Sequence, residues 1–150
     1  MSDPRNTVKF KGARSERETF IIDNSTITFD ATKVGGSAVV GRAVTLSGNG
    51  AVALAVDGDT ILGRLEQVYS DLKAVVTTDG YVELPAGQSA TVTAGKKIVG
   101  ARGASSAKGY IRNVGSAGAS PSQAEVNEIA AARHTIIDAA TTTAVVVLLS

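Results

Sequence analysis

The chain has 150 residues, 43% of them hydrophobic, with no cysteine, no tryptophan and a formal net charge of +1. That is one domain's length, enough to bury roughly 70% of the surface an unfolded chain exposes without help from a disulfide or a metal. The near-zero charge gives no strong field toward nucleic acid or an anionic membrane, no apolar run reaches the ~18 residues of a bilayer span, and thiolate chemistry is excluded.

The first 17 residues differ from the rest. Arg5, Lys9, Lys11, Arg14 and Arg17 stand against Asp3 and Glu16, which leaves the remainder slightly acidic. Val8 and Phe10 are the only sizeable apolar side chains after Met1, too few to order the segment by burial. Residues 1–17 therefore read as an extended N-terminal arm and residues 18–150 as a β-rich body.

Val, Ala and Thr dominate that body, with 16 glycines in the whole chain, a mixture that favours short strands and tight turns. Strands are expected at Thr19–Ile22 and Thr26–Phe29, around the turn-like Asp23-Asn24-Ser25. Val44 and Leu46, then Val52, Leu54 and Val56, alternate with smaller residues across Asn49-Gly50. That is period two with a hairpin turn between the halves. Asp57-Gly58-Asp59 reads as a turn, followed by a strand over residues 61–69 with Arg64 and Glu66 on one face. Ser70-Asp71 and Asp79-Gly80 predict two further hairpins, and Pro85 ends the strand Tyr81–Leu84. Ser89–Thr93 and Lys96–Gly100 complete the run. Strands at 8–12-residue spacing predict a mainly β fold, a small barrel or sandwich.

Residues 101–120 read as loop around a short strand at Tyr110–Arg112. One short helix is expected near residues 121–133, with Ser120 as N-cap, Pro121 in the first turn and Gln123 closing a capping box. Val126, Ile129, Ala130 and Arg133 share its face. Thr135–Ile137 and Thr143–Leu149 read as closing strands.

The chemistry-bearing residues form no constellation. The single histidine, His134, lies at the expected helix end, where an imidazolium is a favourable dipole partner, and no nucleophile motif accompanies it. Zinc needs clustered His and Cys, and Asp57-Gly58-Asp59 lacks the rest of a calcium loop. Gly48-Asn49-Gly50 lacks the third glycine and the following helix of a dinucleotide site. Six aromatics spread over the chain make no RNA-stacking platform. Asp71-Leu72-Lys73-Ala74 loosely resembles the modified turn of lipoyl and biotinyl carrier domains, but Leu72 breaks that pattern. No catalytic residue, metal or cofactor is expected.

The order of phrases from Val39 to Gly100 resembles the capsid cement, or head decoration, proteins of tailed bacteriophages. The phrases are Gly41-Arg42-Ala43-Val44, an Ala/Val strand, Asp57-Gly58-Asp59, Ile61-Leu62-Gly63, Gly80-Tyr81-Val82-Glu83-Leu84, and Ala94 through Gly100. The resemblance implies a structural virion protein on the outer capsid surface. It would be a homotrimer, binding the major capsid protein between capsomers and stabilising the shell, with no nucleic-acid or membrane partner. It also implies an arm that reaches over the coat. At ~3.3 Å per residue, 17 residues span about 55 Å. Added to a coat sheet edge, such an arm gains main-chain hydrogen bonds that offset its ordering cost. Arg5, Thr7, Val8, Lys9, Phe10 and Lys11 are the expected coat-binding residues, with Phe10 as anchor and the cations facing acidic coat surface. The alternative is another phage structural or host-surface module, in a tail or receptor-binding protein.

Overall fold

The computed structural model describes residues 15–115, 120–139 and 145–149. Among them are nine strands and one α-helix: β1 (Ser15–Ile22), β2 (Ala43–Gly48), β3 (Ala51–Leu54), β4 (Gly63–Val68), β5 (Lys73–Leu84), β6 (Ile98–Ala101), β7 (Tyr110–Asn113), α1 (Gln123–Ala131), β8 (Thr135–Asp138) and β9 (Val145–Leu149). The fold is mainly β. Seven strands form one sheet in the order β1-β3-β2-β4-β5-β9-β8, and β1 also pairs with β5, closing the first five into a barrel. β6 and β7 form a separate antiparallel pair.

Alternation places the core. Val44, Val52, Leu54, Leu65, Val68, Ala74 and Val76 turn into the barrel with Ile22, all buried. Ala43 and Ala55 face the other way and are also fully buried, because Ile98 of β6 and Ile111 of β7 belong to the second core they join. That core extends through Val82, Leu84, Ile136, Val147 and Leu149. The barrel wall is therefore covered on this side by a second layer.

Several expectations are corrected. Asp79-Gly80 does not reverse the chain: β5 runs through it as one 12-residue strand. Its first part lies between β1 and β4, and its last part, Gly80 to Leu84, pairs with Leu149 to Val145 of β9. Gly80 takes φ 105°, a conformation that suits glycine and redirects the strand instead of ending it. Thr26–Phe29 is not a strand. The Asp23 carboxylate accepts hydrogen bonds from the backbone N–H groups of Ser25, Thr26 and Ile27 and from the Thr26 hydroxyl. Donors held this way cannot enter a ladder, and the segment instead sends Ile27, fully buried, into the barrel core. Ser89–Thr93 is also irregular, its backbone held by Asn113.

The boundaries at both ends shift as well. β1 begins at Ser15, so Ser15, Glu16 and Arg17 belong to the sheet and not to the arm. Residues 1–14 lie outside the described residues. α1 is capped by Ser122, two residues later than expected, with Glu125 completing the capping box. It ends at Ala131, and none of its residues is buried, so the expected face of Val126, Ile129 and Ala130 is not a core face.

Leu65 sits fully buried at the centre of the barrel core. Leu65→Ala is expected to cost about 2–5 kcal/mol, read as a lower urea midpoint at unchanged slope. A loss within error of zero would mean that the barrel interior is not the cooperative core.

Candidate functional site

Strand directions sort the barrel into two ends. β1, β3 and β4 run one way, β2 and β5 the other. One end gathers the close of β1, the close of β4, the start of β5 and the loop that caps them. Of seven exposed large hydrophobic side chains among the described residues, five lie here: Ile21, Phe29, Val34, Tyr69 and Leu72. Ile21 pairs with Lys73, next to Leu72, and the Leu72 N–H donates to Tyr69 O at 3.1 Å. Phe29 lies against Gly36, which sits directly over the Val68 carbonyl, and Val34 is two residues before it. Val34 is 95% exposed. Exposed apolar side chains gathered at one end form a rim that is a candidate contact surface.

The opposite end is an open mouth of about 540 Å³. Phe20 and Ile22 of β1 pack in the barrel, and the same strand parity brings Glu18 and Glu16 to the mouth. Leu46 of β2, Thr78 of β5 and Leu62, just before β4, line it as well, and Arg133 and His134 cross one side.

His134 does not serve as a charged partner for the helix terminus. It is 4% exposed, and its Nε2 donates to Ile61 O at 2.8 Å. Burial pushes its pKa below the ordinary 6.5, and the charge on Arg133 adds to the effect. A neutral imidazole tying α1's exit to the start of β4 is a structural bolt.

α1 itself is held by charge. Arg112 on β7 donates Nη2 to Glu128 Oε1 at 2.9 Å and Nε to Asp57 Oδ1 at 2.9 Å. Burial works against the Arg112 cation, but Asp57 and Glu128 more than compensate and raise its pKa. This employs Asp57 in an ion pair, while Asp59 caps the Val56 N–H within the turn. Arg64 and Glu66 share a face as expected and pair at 2.7 Å, with the Thr77 hydroxyl donating to the other carboxylate oxygen. Lys73 follows the β4–β5 turn and pairs with Asp71 at 3.7 Å.

No group of three or more His, Cys, Asp or Glu among the described residues is placed to hold a metal ion, and no helix there is long and apolar enough to cross a membrane. The expected arm residues Arg5, Thr7, Val8, Lys9, Phe10 and Lys11 lie outside the described residues. The apolar rim is not legible in the sequence because its members come from separate segments. One local signal existed: Tyr69 and Leu72, two large apolar residues, flank a two-residue polar turn. Comparison with protein-family models, with curated proteins and with solved structures returns no match.

Glu128→Gln keeps the side chain's shape and removes its charge, so amides of α1 should exchange about fivefold faster, for about 1 kcal/mol, while β4 and β5 are unchanged. Equal rates in both proteins would rule out the ion pair as the helix's anchor. For His134 the folded pKa is depressed, so the unfolded chain binds more protons between the folded pKa and 6.5. Stability should be full above that range and decline as pH falls below 6.5, and His134→Gln should flatten that slope in urea titrations.

Proposed function

We propose that this is a structural protein that decorates a phage capsid, binding the outer surface of the shell between capsomers and stabilising it. The observation that carries the reading is the apolar rim of Ile21, Phe29, Val34, Tyr69 and Leu72 at one end of a closed barrel. Such a rim offers a protein-contact face on a rigid body. The sequence resemblance supports the same reading. Its phrases fall in order on consecutive elements: the start of β2, β3, the Asp57-Gly58 turn, the entry to β4, the last part of β5 and the entry to β6.

In this reading the rim seats on the coat. β1 begins at Ser15, so the basic segment that precedes it is tethered directly to the barrel wall, with Arg5, Lys9 and Lys11 available to acidic coat surface and Phe10 as its anchor. Three such protomers around a local three-fold axis would multiply weak contacts through effective concentration.

The test uses expanded capsids built from the coat protein of the same phage and lacking their decoration. Wild-type protein should bind to saturation at inter-capsomer positions and raise the temperature at which the shell ruptures. Leu72→Lys combined with Val34→Lys should weaken binding by about tenfold or more, the loss of an apolar anchor, with the body still folded. Replacing Arg5, Lys9 and Lys11 by Gln in the full chain tests the arm separately. Capsids that ignore the wild-type protein would overturn the proposal, and full binding by the rim variant would remove the rim from it.

A further inference from the structure

A second surface feature lies on the barrel's flank. A groove of about 300 Å³ runs between the residue 40–42 turn, β4, the end of β5 and Tyr110, and it contains both Arg42 and Arg64. The Arg42 guanidinium stacks over the Tyr110 ring, 5.3 Å from its centroid, and donates Nη1 to Lys108 O at 3.2 Å. It forms no ion pair among the described residues. Arg64 gives only Nη1 to Glu66. Its Nε is buried and has no acceptor among the described residues.

Gly41 makes room for this arrangement. Arg64 Nη2 lies 3.3 Å from the point where a Cβ on residue 41 would sit, and Gly41 has φ +93°. A side chain there would both crowd the guanidinium and strain the backbone. One guanidinium is thus held by stacking, and the other is anchored at Nη1 alone and free to turn about that contact, with donors left over.

The surrounding charges favour an anion. Arg42 and Arg64 line the groove with Glu83. Two cations against one carboxylate leave the lining with one positive charge in excess, and Glu66 behind it pairs with Arg64 through Nη1 alone. A buried donor without an acceptor costs free energy, and a guanidinium edge formed by Nε and Nη2 matches a carboxylate in a bidentate pair.

The geometry points to a docking site for one carboxylate side chain, an Asp or Glu on an exposed segment of a protein partner. The carboxylate meets the unused Arg42 donors and Arg64 Nη2 first. The Arg64 guanidinium then turns its Nε toward it while Nη1 stays with Glu66. The aromatic face of Tyr110 keeps Arg42 from folding away. This inference goes beyond the capsid reading, and its test needs no capsid, so either can fail without the other.

The test is NMR on the full chain, following the arginine Nε–H resonances. The probe is a blocked Gly-Glu-Gly peptide, with Gly-Gln-Gly as the neutral control and acetate as the free anion. The glutamyl peptide should move the Arg42 and Arg64 resonances and the Tyr110 amide saturably, and the glutaminyl peptide should not. Arg42→Gln should weaken this by about tenfold. Arg42→Lys, which keeps the charge but loses the planar fork, should weaken it comparably while the barrel resonances stay in place. Acetate should act at the same resonances, more weakly than the peptide. Shifts of equal size with the glutaminyl peptide, no shifts with the glutamyl peptide, acetate binding as tightly as the peptide, or full binding by both Arg42 variants would each overturn the assignment.

Discussion

The structure depends on β5 remaining one strand. Its first part closes the barrel by pairing with β1 on one edge and β4 on the other, and its last part carries β9 and, through it, β8. Ala74 and Val76 belong to the barrel core, whereas Val82 and Leu84 belong to the second core. A break at Gly80 would detach the part of β5 that carries β9 and β8 from the part that closes the barrel, and leave the second core held to the barrel wall through Ala43 and Ala55. The β1–β5 closure also joins segments more than 50 residues apart, so loop entropy must be lost before the closing contacts form. Topology of this sort folds slowly.

Around that frame, polar side chains serve local construction. Burial alone would raise the Asp23 carboxyl, yet hydrogen bonds from Thr26, Ile27 and Ser25 bring it down to about 2. It therefore caps the loop that delivers Ile27 to the core. Burial likewise opposes the Glu66 carboxylate, but Arg64 and Thr77 outweigh it and its pKa falls. Arg112 does for α1 what apolar packing does elsewhere. A helix with no buried residue, held by a shared ion pair, is expected to open more readily than the strands that line the two cores.

Much of this was legible from local pattern. The β2–β3 hairpin follows from strict alternation across Asn49-Gly50, and both Val52 and Leu54 are buried as that alternation requires. What failed was punctuation. Asp-Gly is a strong hairpin signal, but a glycine at positive φ also permits a strand to bend. Only the partners β1 and β9, more than 50 residues away on either side, decide between the two. Asp23-Asn24-Ser25 likewise looks like a turn between strands, while its carboxylate in fact keeps the second strand from forming. At the helix, Ser120 and Ser122 are equivalent as caps in sequence, and the Glu125 side chain selects the latter. The sequence puts His134 at the end of the helix, but its burial and its hydrogen bond to the Ile61 carbonyl, 73 residues away, come only with the tertiary fold.

The distribution of surface features bears on how such a body can hold a large partner. No single feature is strong. Five exposed apolar side chains at one end are a small patch, and one carboxylate in an arginine groove contributes modestly when partly solvated. In the two proposed readings a closed barrel holds the rim and the groove in fixed relation, so a partner reaching both would gain effective concentration from that rigidity. Rigidity of the β5 frame is therefore what allows weak contacts to add. In the decoration reading the same logic extends to the shell: a lattice repeats its acceptor surfaces at fixed spacing, and a rigid body with separate contact points reads that spacing where a flexible one would not.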